Sequence, residues 1–164
     1  MTVMVAEAWV ERPLLRFVED ARVDFALLVH PSGQVMGQHG FTSAVDVMSA
    51  CALAAAINAS AGALGRELEA RPFQELYHAG RERQIFLAET ATKRGACVLI
   101  TAFGRETSLG LVRMYFQEFR QALAAAAPAA ENAGPILAAD FERELGRSLA
   151  MLFGSTRPRE LTPV

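Results

Sequence analysis

The spacing of apolar residues along the chain changes repeatedly between the period of a helix and the period of a strand. Apolar positions recur every three or four residues in four segments, whereas they alternate or run together in five shorter segments. The predicted helices cover residues 8–20, 43–69, 109–125 and 138–154, and the predicted strands cover 24–30, 34–39, 73–78, 84–89 and 96–103. The order is therefore helix, two strands, helix, three strands, helix and a terminal helix.

This order of elements predicts an α+β fold, in which a five-stranded antiparallel sheet carries helices on both faces. We expect the long second helix to cover one face, and the first and third helices to cover the other face or the edge. The strand that begins at Phe73 has few of the features that protect an edge strand. We therefore expect it to pair with a second copy of the chain.

Composition divides the chain into a domain, a linker and a terminal helix. Residues 1–126 hold the predicted sheet and its helices, and residues 127–137 form a linker of small residues broken by proline and glycine. An amphipathic helix at 138–154 and a polar tail at 155–164 follow. The apolar face of the terminal helix consists of Phe141, Leu145, Leu149 and Leu152.

The second helix is unusual because much of its surface is made of small residues. Its larger apolar side chains, which are expected to face the sheet, are Leu53, Ile57, Leu64 and Leu68. Small residues would then fill the outer face, where a monomer normally places charged side chains. Such a face suits contact with another protein, although alanine is also the best helix former and a high alanine content would produce the same pattern. Gly62 favours the contact, because glycine weakens a helix interior by up to ~1 kcal/mol and suits close backbone approach.

Composition and charge exclude several classes of function. The 164 residues, 52% of them hydrophobic, suffice for one folded domain. A net charge of −2 argues against nucleic-acid binding through phosphate neutralisation and gives no support for binding to a membrane surface. The uncharged run at 47–65 is mostly alanine, so membrane insertion is not expected, and the N-terminus lacks the basic region of a signal peptide. We expect a cytoplasmic protein.

Motifs for catalysis, phosphate binding or metal binding do not occur in the sequence. There is no Walker A loop, no GxGxxG, no CxxC, no HExxH and no GxSxG. Cys51 and Cys97 lie in apolar segments and are expected to be reduced and buried. His30, His39 and His78 fall at the ends of strands, where partly exposed turn residues are common, so an enzyme that uses one of them is the least favoured hypothesis. No cofactor or metal is expected.

Three segments carry a resemblance to a known family. These are 73–80 (FQELYHAG), the strand at 98–103, and above all 107–113 (TSLGLVR). Together with the order of elements, they resemble bacterial Roadblock-domain proteins, most of all the MglB subfamily, which regulates the Ras-like GTPase MglA. The resemblance covers about residues 8–125, and Asn58 resembles an asparagine that is common in the second helix of these proteins.

The resemblance implies a homodimer in which two sheets join edge to edge and two second helices form a platform for one Ras-like, MglA-like GTPase. Such regulators stimulate GTP hydrolysis without a catalytic arginine of their own, by holding the GTPase so that its arginine and glutamine reach the γ-phosphate. They act in cell polarity and motility, which implies a location at a cell pole. Other Roadblock proteins are scaffolds for a GTPase or for another Roadblock chain, and this alternative stays open.

The same resemblance assigns the residues that contact the partner. Those on the second helix are Ala56, Ala59, Ser60, Ala63 and Leu64, and those on the terminal helix are Phe141, Leu145 and Leu149, with Leu152 beside them.

Overall fold

The computed structural model describes residues 3–40 and 47–129, all of which belong to one compact unit, Met1–Ala129. Its elements are β1 Val3–Val5, α1 Ala8–Ala21, β2 Phe25–Val29, β3 Val35–His39, α2 Val47–Glu69, β4 Glu75–Ala79, β5 Gln84–Thr92, β6 Gly95–Phe103 and α3 Leu109–Ala126. The predicted start of the second helix at 43–46 lies outside the described residues. So do the terminal helix, the tail and the linker beyond Ala129.

The strands form one antiparallel sheet in the order β1-β3-β2-β6-β5-β4. The predicted α+β fold is confirmed, but the sheet has six strands and not five. The additional strand is β1, which pairs with the outer side of β3 through Val3 opposite His39 and Val5 opposite Gly37. Alternation of apolar and polar residues cannot be recognised over only three residues, so the sequence does not predict this strand. It is identified only by its pairing with β3.

Helices α1 and α3 cover one face of the sheet, and their core contains a cluster of aromatic rings. Phe86 of β5 meets Phe116 of α3 edge to face with 5.4 Å between ring centroids, and Phe17 of α1 lies 5.4 Å from Phe119. Such pairs add to the gain from burial itself. Helix α3 begins where the sequence predicts, because the Ser108 hydroxyl accepts a hydrogen bond from the Leu111 backbone nitrogen at 3.4 Å.

Helix α2 covers the opposite face, over β2, β5 and β6, as expected. However, the prediction that its large apolar side chains face the sheet is wrong. Leu53, Ile57, Leu64 and Leu68 are between 39% and 68% exposed. The buried positions of the helix are all small, namely Cys51, Ala54, Gly62 and Gly65. Cys51 and Ala54 pack on the strands, whereas Gly62 and Gly65 lie against the segment 71–73 that follows the helix, and the larger side chains are left outside both contacts.

Glycine has different roles at the two buried positions near the end of α2. At Gly65, an added Cβ would overlap the Phe73 backbone nitrogen and lie 2.7 Å from the Arg71 carbonyl oxygen. At Gly62, it would meet only the Arg66 guanidinium and the Pro72 ring, both at 3.7 Å, which is ordinary contact. The close backbone approach that the sequence indicated for Gly62 is therefore found at Gly65.

Substituting these glycines by alanine should change stability in opposite directions. We expect Gly65→Ala to lower the free energy of unfolding by about 1–3 kcal/mol, because backbone atoms must move to make room for the methyl group. We expect Gly62→Ala to raise it by about 0.5–1 kcal/mol, since alanine restricts the unfolded helix segment and meets no obstacle. Urea denaturation of both variants measures the difference. Equal effects of the two substitutions would contradict this account of the packing of α2.

Candidate functional site

The exposed surface of α2 consists mainly of two stripes. The apolar stripe contains Leu53, Ile57, Leu64 and Leu68. The small-residue stripe, which lies beside it on the outer surface, contains Ala52, Ala56, Ala59 and Ala63, all exposed. Both sets recur at helical spacing, so each forms a continuous band along the helix. The first 19 residues of α2 carry no charge, and its charged residues, Arg66, Glu67 and Glu69, follow near its end.

The structure brings together the predicted docking residues of the second helix. Ala56, Ala59 and Ala63 belong to the small-residue stripe, Leu64 belongs to the apolar stripe, and Ser60 lies between the two stripes. All five are exposed. Phe141, Leu145, Leu149 and Leu152 of the predicted terminal helix lie outside the described residues.

Sequence reasoning missed that Leu53, Ile57 and Leu68 belong to the exposed surface. A signal for this was present, because the small residues Cys51, Ala54 and Gly65 also recur at the spacing of a buried helix face. Side-chain size favours burial of the leucines, but the helix packs on the sheet through Cys51 and Ala54, and Gly65 meets the backbone of the segment 71–73, where no larger side chain fits.

The apolar stripe overhangs the sheet without filling the space beneath it. A groove of about 420 Å³ runs between Leu53 and Ile57 of α2 and sheet residues that include Phe25, Leu27 and Ile100. Large contiguous apolar surfaces of this kind are rare on soluble monomers and are typical of interfaces.

Helix α2 is also long and apolar enough to cross a membrane by length and composition alone, with 17% of its most apolar window buried. Its buried side nevertheless packs on three strands, so it forms a layer of the domain. Most of the exposed apolar surface of α2 therefore lies on these two stripes, where a partner protein would cover it.

Strand β4 forms one edge of the sheet, as the sequence predicts. It pairs with β5 on one side, and no other strand among the described residues lies along its outer side. Tyr77 and His78 are exposed on this strand. Glu75 is held by an ion pair of 3.0 Å with Arg113 of α3. A strand edge of this type is a template for pairing with another chain.

The structure does not bring the candidate catalytic residues together. His39 lies on β3 and His78 on the edge strand β4, at separate places in the sheet, and His30 Nδ1 contacts Ser32 Oγ in the turn after β2 at 2.7 Å. Cys51 and Cys97 are both buried, in the cores on opposite faces of the sheet, where burial raises the pKa of both thiols. In the part of the chain that the structure describes, no group of three or more His, Cys, Asp or Glu residues could hold a metal ion.

The sequence matches no protein-family model and no curated protein. Solved structures do match the fold. Myxococcus xanthus MglB is 27% identical with a TM-score of 0.61, over 67% of this chain and 87% of that chain. The gliding protein MglB from Thermus thermophilus is 25% identical with a TM-score of 0.61, over 77% of this chain and 96% of that chain.

A Roadblock/LC7 domain from Streptomyces avermitilis is 15% identical, with a TM-score of 0.54 over 63% of this chain and 83% of that chain, and this likeness shows the fold alone. The resemblance that the sequence indicates is thus confirmed by structures with the same arrangement of sheet and helices. The chain is therefore similar to MglB and has the fold of Roadblock-domain proteins.

Proposed function

We propose that this chain is a homodimeric regulator that docks on a Ras-like, MglA-like small GTPase and stimulates its GTP hydrolysis. The likeness to MglB supports the coarser statement, a Roadblock-type regulator of a small GTPase. The observation that carries the proposal is the outward surface of α2, which exposes an apolar stripe and a small-residue stripe on a domain that needs neither for its own core.

The two stripes suit two different contacts. The apolar stripe offers large side chains, whose burial against the α2 helix of a second copy contributes about 25 cal/mol per Å². Edge-to-edge pairing of two β4 strands would hold the same two copies together. The small-residue stripe offers little apolar area but lets a partner backbone approach closely, which suits reversible docking of a GTPase.

Stimulation of hydrolysis requires no catalytic group from this chain. Phosphoryl transfer depends on positioning the attacking water and on charge stabilisation around the γ-phosphate. A rigid surface that binds the GTPase only when its own arginine and glutamine are in place shifts the population toward that state. The chain therefore acts as a regulatory protein, without an active site of its own.

The cellular location and the process that this activity serves are proposed from the same likeness to MglB. A regulator of an MglA-like GTPase would work in the cytoplasm, at a cell pole, in the control of polarity or motility. The alternative is a Roadblock scaffold that binds a GTPase or another Roadblock chain without changing the rate of hydrolysis, and the kinetic experiment below separates the two.

A charge on the apolar stripe should dissociate the dimer. We expect Leu68→Glu to raise the dimer dissociation constant by about a hundredfold, because a carboxylate would be buried without a partner. Leu111→Glu is the matched control, since Leu111 of α3 is 44% exposed on the opposite side of the sheet. Analytical ultracentrifugation of the two variants and the unmodified chain measures the association. A wild-type chain that stays monomeric at high concentration would contradict the dimer.

An arginine on the small-residue stripe should block the GTPase. We expect Ala59→Arg or Ala63→Arg to weaken binding of the cognate MglA-like GTPase, loaded with a non-hydrolysable GTP analogue, by about a hundredfold or more. Both positions are exposed, so the melting temperature should stay within a few degrees of the wild-type value. Ala125→Arg on α3 is the control for an exposed alanine on the other layer. Unchanged affinity in both α2 variants would place the docking surface elsewhere.

Stimulation itself is tested by single-turnover hydrolysis. We expect a two-fold excess of protomers to raise the GTP hydrolysis rate of the cognate GTPase by about tenfold to a hundredfold, with no effect from Ala59→Arg protein. Binding without any acceleration would favour the scaffold. Absence of both binding and acceleration would end the proposal.

A further inference from the structure

A polar cleft opens beside the small-residue stripe, on the side away from the apolar stripe. It has a volume of about 260 Å³ and lies between α2, the segment 72–74 that leads into β4, and Glu89 of β5. Asn58, Arg66, Gln74 and Glu89 provide its polar groups, and Ala59 of the small-residue stripe lines its rim. The cleft is therefore continuous with the proposed docking surface.

Glu89 is held firmly in this cleft. Its backbone nitrogen donates to the Gln74 carbonyl oxygen at 3.1 Å, and the residue pairs with Val98 of β6 on the other side. Its side-chain Oε2 accepts a hydrogen bond of 2.7 Å from Asn58 Nδ2. A carboxylate that is already fixed by neighbours loses little conformational entropy when it binds a partner.

Glu89 forms no ion pair within the described residues. None of the ion pairs found there includes Glu89, and Arg66, which lines the same cleft, is in none of them either. Asn58 occupies one of the roughly four acceptor positions of a carboxylate, which leaves the others open toward the cleft. An exposed, oriented carboxylate without an ion-pair partner is complementary to a cationic side chain.

We infer that this cleft receives a basic side chain, arginine or lysine, of the docked GTPase, with Glu89 as its acceptor and Asn58 as the residue that positions Glu89. The inference rests on the proposed docking of a GTPase at the small-residue stripe. The cation is placed on the GTPase because the cleft opens directly beside Ala59 and on the side of α2 away from the apolar stripe. Charged pairs at the rim of an interface set the association rate and the choice of partner.

The test is the affinity of the full chain for the cognate MglA-like GTPase loaded with a non-hydrolysable GTP analogue, measured at several salt concentrations. We expect Glu89→Gln to weaken binding by about tenfold at low salt, with a difference that shrinks as salt rises. The fold should be preserved, because the glutamine oxygen still accepts from Asn58. Glu19→Gln, which removes an exposed carboxylate from α1 on the opposite face, should leave the affinity unchanged.

The Asn58→Ala variant tests whether Asn58 positions the Glu89 carboxylate. We expect a smaller loss of affinity, about threefold, with the salt dependence of wild-type binding retained, since the carboxylate is still present but less ordered. A salt dependence reduced to that of Glu89→Gln would show instead that Asn58 is needed for the charge to act at all and would overturn its assignment as a positioning residue.

Three results would overturn the assignment of the cleft. Glu89→Gln could bind the GTPase as tightly as wild type at every salt concentration. Glu89→Gln and Arg66→Gln could each lower stability equally without changing affinity, which would show an internal ion pair. Glu89→Gln could turn a dimer into a monomer, which would assign the cleft to the contact between copies. A wild-type chain that binds no GTPase contradicts the proposed function itself, a result distinct from these three.

Discussion

The packing of α2 through small residues, on the sheet and on the segment 71–73 that follows the helix, is the constraint on which the exposed surface of this protein depends. Cys51 and Ala54 face the sheet, Gly62 and Gly65 face the segment 71–73, and at Gly65 even a methyl group would collide with the backbone of that segment. Because small residues are required there, the leucines and the isoleucine of the helix must point outward. The apolar stripe and the small-residue stripe are both consequences of this one packing requirement.

The cores on the two faces of the sheet therefore differ in how much they contribute to the stability of the domain. The α1 and α3 side has a core of interlocking aromatic rings, including Phe17, Phe86 and Phe116, which provides much of the stability. The α2 side has a thin core of strand residues under small helix residues. A domain stabilised mainly from one side can keep a large apolar surface on the other side for partners, at the cost of exposing it when it is alone.

The cleft beside the small-residue stripe holds a polar contact between α2 and the sheet. Asn58 and Glu89 join the helix to β5 by a hydrogen bond of 2.7 Å, with Arg66 and Gln74 in the same cleft. Such a bond fixes the helix against the sheet and orients a charge toward the cleft at the same time. The proposed regulator would thus combine an uncharged surface, which provides area, with one oriented charge, which provides selectivity.

The sequence by itself determined the order of the elements after β1, the start of α3 at Leu109, the edge position of β4 and the resemblance to Roadblock proteins. These features follow from local periodicity, capping and short motifs. It also placed Ala56, Ala59 and Ala63 on an outward face.

Only the tertiary structure decided the rotation of α2, the addition of β1 and the contact between Asn58 and Glu89. A helix that is apolar or small on every side has no strong preference for which side is buried, so its rotation is set by the space above the sheet. A strand of three residues is defined by its neighbour, and a hydrogen bond across 31 positions of the chain exists only once the helix lies on the sheet.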